Sequence, residues 1–255
     1  MIPKIIHLCW LSGDEYPTDI QKCLDTWKRI LPDYEVWLWD TNRFDINSTI
    51  WTKQAFENRK YAFAADYIRL YALFNYGGIY LDSDVIMYKS FDSLLHLPYF
   101  IGQEYAGSLE PAIIGAQKGC KWICDALKHY DGRAFVKTDG TLDTVSLPHV
   151  LFHILTKDYK FVQLHKIIDY TEEEGIIQVF DKDFFNSRNS VEVHQTKKSF
   201  CAHNYAASWL KQSSRMKLIR ILPKFMVRSF FFISHNTYRK GKINRFTPKF
   251  IKVIS

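Results

Sequence analysis

The sequence predicts an α/β fold in which strands alternate with helices, followed by a separate basic tail. Short segments rich in β-branched and aromatic residues alternate with longer segments of helical periodicity in the first half of the chain. Hydrophobic residues make up 47% of the 255 residues, which is enough for one large domain. Residues 211–255 contain no Asp or Glu, and this separates them from the rest of the chain.

The N-terminal elements follow an order that is typical of βαβ units, which favours a parallel sheet and a nucleotide-binding domain. Ligands of open α/β sheets bind at the carboxyl ends of strands. Trp10 after the first strand and Asp82 after the third therefore predict one shared cleft. The strands are predicted at residues 2–10, 34–39 and 79–81, and the helices at 17–30, 49–59 and 60–76. Weaker patterns predict further strands at 98–103 and 112–116 and helices at 119–130 and 147–155.

Two acidic residues follow the third strand directly. Gly77 and Gly78 supply the positive φ angles that end a helix, and residues 79–81 suit a short core strand. If the strand continues, the side chains of Asp82 and Asp84 point to the same side. Two carboxylates about 4 Å apart repel by roughly 1 kcal/mol in water, and by about 4 kcal/mol at an effective dielectric of ~20. A divalent cation would remove this repulsion, although Asp-x-Asp also occurs in ordinary turns.

Asp66 and Arg69 lie three residues apart, on one face of the preceding helix, among mostly apolar neighbours. Two interpretations remain open at this point. The pair is either a surface ion pair worth a few tenths of a kcal/mol or part of the site, where Arg69 donates two charge-assisted hydrogen bonds to phosphate or sugar oxygens. Asp66 would then accept from sugar hydroxyls.

These segments resemble a known family. Residues 61–70 (YAFAADYIRL) and 77–84 (GGIYLDSD) resemble the DXD sugar-binding region of family 32 glycosyltransferases. That group is similar to yeast-type initiating mannosyltransferases and bacterial capsule and lipopolysaccharide transferases, and more distantly to the glucosylating domain of clostridial toxins. Residues 2–10 resemble the family's first strand, and 203–209 (HNYAASW) resemble its late His-to-Trp signature. The resemblance implies a GT-A type fold over residues 1–210, which is a Rossmann-like mixed sheet flanked by helices, and a retaining transfer.

The resemblance also implies a role for each site residue. Asp84 would bind a metal directly, Asp82 would bind it directly or through water and contact the ribose, and His203 would favour Mn²⁺ over Mg²⁺. Trp10 offers a flat face for a uracil ring, although it also suits a core. His7 is left out of the catalytic set because a core position is equally consistent with it. The expected catalytic residues are Asp66, Arg69, Asp82 and Asp84, and the expected nucleotide-sugar contacts are Trp10, Asp66, Arg69, Asp82, Ser83, Ser208 and Trp209.

The expected donor is a UDP-linked sugar of galactose or glucose type, although GDP-mannose stays open. The expected acceptor is a polyprenyl-diphosphate-linked glycan of bacterial capsular or O-antigen synthesis. Acceptor recognition is expected between residues 91 and 200. There the chain has Glu110-Pro111 and Leu147-Pro148 where the family has an Asn-containing strand and a Gly-Pro turn.

The charge of the chain is strongly divided. Residues 211–255 contain 12 of the 34 Lys and Arg residues, so this tail has a charge of +12, while residues 1–210 have 22 bases against 27 acids, or −5. Residues 216–235 mix bases with bulky apolar side chains around Pro223. A core helix and a nucleic-acid arm are alternatives, but an interfacial segment on an anionic membrane is favoured.

The predicted location is the cytoplasm, at the inner face of the cell membrane. No basic region followed by an apolar core opens the chain, and no apolar span approaches the ~20 residues of a transmembrane helix. Five cysteines without CxxC spacing favour a reducing compartment. A metal-dependent nucleotidyltransferase is the nearer alternative function. A nucleic-acid-binding protein is the more remote one, since no groove-reading or RNA-stacking motif is present, and no nucleic-acid partner is expected.

Overall fold

The computed structural model describes residues 1–104, 108–185 and 195–204. From Ile5 to Leu81 the strands are separated by helices, as the sequence predicts, with two consecutive helices before the third strand. The strands are β1 (Ile5–Cys9), β2 (Glu35–Trp39), β3 (Gly78–Leu81), β4 (Val85–Met87), β5 (Tyr99–Gln103), β6 (Leu109–Ala116), β7 (Lys160–Leu164), β8 (Ile176–Phe180) and β9 (Cys201–His203). The helices are α1 (Thr18–Ile30), α2 (Ile50–Glu57), α3 (Tyr61–Tyr76), α4 (Lys121–Leu127), α5 (Leu147–Leu155) and α6 (Lys182–Phe185).

The main sheet has seven strands in the order β2-β1-β3-β6-β5-β8-β7, and β4 and β9 form a separate two-stranded sheet. The first three strands are parallel, whereas β6 is antiparallel to both β3 and β5. The α/β class with a mixed sheet flanked by helices is confirmed. A wholly parallel sheet is not observed, because the short connection from β5 to β6 forces these neighbours to run in opposite directions.

The sheet separates two hydrophobic cores. One core contains apolar side chains of α2, α3, α4 and α5 and includes Trp51, Ile68 and Leu151. The other contains side chains of α1, α6 and β4, including Trp27 and Phe185. Strands β3 and β6 are buried along their whole length. The end of β3 is therefore fixed on both sides before the chain reaches the acidic pair.

The glycine pair at the end of α3 behaves as predicted. Gly77 has φ 68° and Gly78 has φ 107°, which are left-handed values that favour glycine. A Cβ on Gly78 would lie 2.7 Å from the carbonyl oxygen of Ile5 and 2.9 Å from Nε2 of His7. A side chain is therefore excluded here by sterics as well as by φ, and β3 can begin directly beside β1.

Several predicted boundaries change by a few residues. The helix predicted at 119–130 is α4 followed by a 3₁₀ turn at Lys128–Tyr130. The helix predicted at 147–155 is α5 without change. The predicted division between residues 210 and 211, and the whole basic tail, lie outside the described residues. Among the helices that the structure describes, none combines the length and the apolar character needed to cross a bilayer.

Candidate functional site

Three segments meet at the carboxyl end of β3. The parallel neighbours β1 and β3 end at Cys9 and Leu81, so Trp10 and Asp82 leave the same edge of the sheet. The third segment is β9, which pairs with β4 so that Val85 lies opposite His203. Strand β4 begins one residue after Asp84, and this pairing brings a residue near position 200 to the acidic pair.

The two acidic residues lie in a turn. Strand β3 ends at Leu81, and the N–H of Val85 donates to the carbonyl of Asp82 at 3.0 Å. The acidic pair follows β3 directly, as predicted, but the strand does not continue through it. The reason is that the chain changes sheets here: the N–H of Asp82 still donates to the carbonyl of Ala112 in β6 at 2.9 Å, whereas β4 pairs with β9.

The turn and β9 together form a possible cation site. Asp82, Asp84 and His203 each offer one ligand atom, and these atoms all lie within 4.8 Å of one another. Asp84 is 8% exposed, so its carboxylate is removed from most of the solvent. Buried carboxylates need a compensating charge, and oxygen ligands are those that Mg²⁺ and Mn²⁺ accept. The donor set fits either ion, and the imidazole nitrogen favours Mn²⁺.

His203 lies between two carboxylates. Its Nε2 is 3.2 Å from Oδ1 of Asp84, and its Nδ1 is 3.3 Å from Oε1 of Glu110. Burial lowers the pKa of His203, but the attraction of Glu110 and Asp84 outweighs burial and raises this pKa well above 6.5. The raised pKa favours the imidazolium form when no cation competes for it, and in this form each ring N–H donates a hydrogen bond to one carboxylate.

Glu110 is a site residue that the sequence analysis noted only as a departure from the family pattern. It is 2% exposed, and its Oε1 also accepts from the N–H of Ala112 at 3.2 Å. All eight residues of β6 are buried, and Glu110 is the ionisable one among them. A carboxylate inside such an apolar strand needs a cationic partner. That mismatch is the signal by which the sequence could have identified it.

Asp66 and Arg69 form a buried pair, so the surface interpretation is wrong: they are 8% and 6% exposed. Nη2 of Arg69 lies 3.0 Å from Oδ1 of Asp66 and 3.4 Å from Oδ1 of Asp82. Nη1 donates to the carbonyl of Pro111 at 2.8 Å. Burial raises the pKa of Asp66 to about 7, although the charge of Arg69 opposes this shift. Arg69 thus joins α3, the acidic turn and β6.

Tyr80 orients Asp82 together with Arg69. The hydroxyl of Tyr80 donates to Oδ1 of Asp82 at 2.8 Å. The guanidinium carbon of Arg69 lies 4.5 Å from the centre of the Tyr80 ring. The Tyr80 ring therefore stabilises the guanidinium of Arg69 by a cation–π interaction, and its hydroxyl fixes the carboxylate of Asp82.

Of the other predicted nucleotide-sugar contacts, Trp10 and Ser83 are in the described part of the chain. Trp10 is half-buried; its ring lies 4.8 Å from that of Tyr16, and its Nε1 donates to the carbonyl of Asp14 at 2.8 Å. Ser83 is the half-buried central residue of the turn. Ser208 and Trp209 lie outside the described residues, and their roles stay predictions.

Comparisons with known proteins match part of this chain to glycosyltransferases. Residues 17–101 match the family described as a glycosyltransferase sugar-binding region containing a DXD motif. This match supports the predicted enzyme class over the matched residues. The matched span includes Asp66, Arg69, Asp82 and Asp84 and ends before Glu110 and His203.

Two relatives are fungal proteins whose names refer to mannosylated inositol-phosphate ceramides. Inositol phosphoceramide mannosyltransferase 3 of Schizosaccharomyces pombe is 31% identical over 141 residues, which are 52% of this chain and 38% of that protein. Mannosyl phosphorylinositol ceramide synthase SUR1 of Saccharomyces cerevisiae is 33% identical over 146 residues, which are 53% and 37%. The chain thus spans less than two fifths of the length of these relatives. A solved structure named PaToxG Glycosyltransferase has 21% identity and a TM-score of 0.47, over 61% of this chain and 68% of that one.

Proposed function

We propose that this chain, whose residues 17–101 are a DXD-containing glycosyltransferase sugar-binding region, is a metal-dependent, retaining glycosyltransferase of the GT-A type. It moves a hexosyl group from a nucleoside diphosphate sugar to a lipid-linked acceptor. The observation that supports this most strongly is the convergence of Asp82, Asp84 and His203, whose ligand atoms lie within 4.8 Å of one another beside the buried Asp66–Arg69 pair.

Each part of the site has a separate task in this proposal. Asp82, Asp84 and His203 would hold Mn²⁺ or Mg²⁺, which when bound neutralises the charge of the departing diphosphate. Arg69 orients Asp82, because its terminal nitrogens already contact Asp66, Asp82 and the carbonyl of Pro111. Asp66 would accept from a sugar hydroxyl. Burial of these groups strengthens their electrostatic interactions with a bound donor.

The configuration of the sugar is retained without a protein nucleophile. Hydrolytic glycosidases use two carboxylates that flank the glycosidic bond, whereas the carboxylates here are engaged with Arg69 and His203. The acceptor oxygen would bond to the anomeric carbon on the same face from which the diphosphate oxygen departs. The hydroxyl proton of the acceptor passes to the departing diphosphate.

Two expectations for the substrates compete. The family resemblance favours a UDP-hexose and a polyprenyl-diphosphate-linked glycan of bacterial capsular or O-antigen synthesis. The names of the two fungal relatives favour a mannosyl donor and an inositol-phosphate lipid acceptor. A lipid-linked acceptor is common to both, so it belongs to the proposal, and the sugar is the property that an experiment must decide.

The reaction class is tested by its products. The full chain is incubated with Mn²⁺, a mixture of nucleotide sugars and lipid extracts, and released nucleotides are separated by chromatography. A glycosyltransferase releases nucleoside diphosphate, and excess chelator should stop the release. Release of pyrophosphate would instead support the metal-dependent nucleotidyltransferase.

The donor is tested by thermal shift in the presence of Mn²⁺. UDP-galactose, UDP-glucose, their N-acetyl forms and GDP-mannose are compared at equal concentration. A ligand at 100 times its Kd stabilises the folded state by about 2.7 kcal/mol, so the correct donor should give a distinct rise in Tm. Stabilisation by GDP-mannose alone would overturn the expectation of a UDP-sugar.

Membrane association is proposed for the basic tail, residues 211–255, with its charge of +12. Each Lys or Arg near an anionic leaflet adds about 1 kcal/mol of attraction. Co-sedimentation of the full chain with phosphatidylserine vesicles should be lost when residues 211–255 are removed and should weaken with salt. Equal sedimentation of the truncated chain would contradict the role of the tail and the predicted location at the inner face of the membrane.

A further inference from the structure

We propose that Glu110 is a positioning residue for the cation site: it fixes the ring of His203 so that Nε2 is presented to the cation. The inference rests on the proposed function, since it concerns the same cation. It adds a residue that lies outside the span matched by the glycosyltransferase family, which ends at residue 101.

The first argument is the geometry of the imidazole. Nδ1 of His203 lies 3.3 Å from Oε1 and 3.4 Å from Oε2 of Glu110, so the carboxylate faces this nitrogen with both oxygens. Nε2, on the opposite edge of the ring, lies 3.2 Å from Oδ1 of Asp84. A histidine that donates its second N–H to a carboxylate is held in one tautomer and one orientation and becomes a more basic ligand. Glu110 supplies that carboxylate here.

The second argument is that Glu110 is itself held rigidly. It is 2% exposed, it lies in the fully buried strand β6, and the N–H of Ala112 donates to its Oε1 at 3.2 Å. His203 is in β9, which contacts the rest of the site through its pairing with β4. Glu110 thus connects a ligand from the small sheet to the main sheet.

The third argument is that the adjacent residues of β6 support the other half of the site. The carbonyl of Pro111 accepts from Nη1 of Arg69 at 2.8 Å, and the carbonyl of Ala112 accepts from the N–H of Asp82 at 2.9 Å. Three consecutive residues of one strand therefore contact His203, Arg69 and Asp82 in turn. Within this strand the task of Glu110 is specific, because it contacts the imidazole through its side chain whereas its neighbours use backbone carbonyls.

The test measures Mn²⁺ affinity directly, without donor or acceptor, by electron paramagnetic resonance of the full chain. Glu110→Gln has nearly the same shape and removes the charge; we expect it to weaken Mn²⁺ binding by about 10- to 100-fold. Glu57→Gln, at an exposed carboxylate at the end of α2, is the matched control and should leave the affinity unchanged. Equal affinity of wild type and Glu110→Gln would overturn the inference.

A double-mutant cycle distinguishes a positioning residue from an additional ligand. If Glu110 acts through His203, Glu110→Gln should change the Mn²⁺ affinity of a His203→Ala variant by less than about twofold. A further loss as large as that in the wild type would mean that Glu110 contacts the cation itself, and this would overturn the positioning role.

A measurement on the wild type avoids variants that fail to fold. Long-range ¹H–¹⁵N NMR with Mg²⁺ in place of the paramagnetic ion should show His203 as the Nδ1–H tautomer. The Nε2–H tautomer would overturn the inference. Wild-type protein that binds neither ion would overturn the proposed metal dependence and this inference together, whereas binding with the wrong tautomer would overturn this inference alone.

Discussion

Two histidines, the fully buried His7 and the half-buried His203, lie in one molecule with opposite surroundings. His7 has no exposed surface, and its ring has two neutral partners. The indole N–H of Trp39 donates to Nδ1 at 3.0 Å, and Nε2 lies 2.7 Å from the carbonyl oxygen of Gly77. Because an indole N–H can only donate and a carbonyl can only accept, the proton of His7 must lie on Nε2. His203 instead has a carboxylate at each ring nitrogen.

The difference shows that the partners, more than burial, decide what a buried histidine can do. Burial lowers the pKa of His7 to about 4, although its hydrogen bond to Gly77 opposes the shift, so the ring stays neutral and fixed. The carboxylates around His203 raise its pKa in spite of burial. The neutral partners of His7 connect the end of α3 to β1 and β2. The carboxylates around His203 instead stabilise a positive charge at the imidazole, which is either a proton or a bound metal ion. The open question that His7 posed in the sequence is thereby settled in favour of the core.

The largest expected effect comes from removing a carboxylate of the acidic arrangement. Asp84→Ala should lower the rate of metal-dependent transfer by about 10³-fold, because a ligand that supports several kcal/mol of charge stabilisation is lost. Circular dichroism should show that the variant stays folded. Asp92→Ala, which removes an exposed carboxylate that pairs with Lys4 and accepts from the hydroxyl of Tyr34, away from the acidic turn, is the control. Full activity of Asp84→Ala in excess chelator would falsify the metal assignment.

The second largest effect is expected from a substitution that removes the neutral hydrogen bonds of His7. His7→Leu leaves the N–H of Trp39 and the carbonyl of Gly77 buried without their partner, and each such group costs 1 to 3 kcal/mol. We expect the free energy of unfolding in urea to fall by about 3 kcal/mol. Mn²⁺ affinity of the folded variant should equal that of the wild type. A loss of metal affinity with normal stability would mean that His7 belongs to the site after all.

The pH dependence of stability should have opposite signs at the two histidines. His7 has a folded pKa of about 4 against 6.5, so its contribution is complete above 6.5 and is lost as the pH falls, by about 2 kcal/mol at pH 5. The contribution of protonated His203 is complete below 6.5 and is lost as the pH rises through its raised pKa. Mn²⁺ affinity should rise with pH, since the cation must displace the proton of His203.

The variants His7→Leu and His203→Gln separate these contributions from those of the other titratable groups. For each variant, the free energy of unfolding is measured as a function of pH and subtracted from that of the wild type. The difference is the contribution of one histidine. Curves of the same sign for both residues would contradict the comparison between neutral and acidic surroundings.

The sequence predicts the part of the site that is local in the chain. The residues from Asp66 to Asp84 lie within one helix–turn–strand unit whose glycine stop, burial and spacing follow from short-range patterns. The carboxylate of Glu110 inside an apolar segment is visible in the sequence, but its partner is not, because only the structure shows that β9 brings His203 within 3.3 Å. The sequence places the acidic pair between two apolar segments, but it does not show that β3 and β4 belong to different sheets, because a change of sheet leaves no signal in alternating apolar residues.

Tyr80 connects the two regions and gives the smallest expected effect. It lies opposite His7 in the parallel pairing of β1 with β3, and its hydroxyl donates to Asp82 at 2.8 Å. Tyr80→Phe keeps the ring under Arg69 and removes one hydrogen bond, worth about 1 kcal/mol, so kcat/KM should fall about fivefold with little change in Tm. A loss as large as that of Asp84→Ala would mean that the hydroxyl contacts the substrate. An unchanged kcat/KM would mean that Arg69 orients Asp82 without Tyr80. The residues around His7 would then have no influence on the acidic residues around His203.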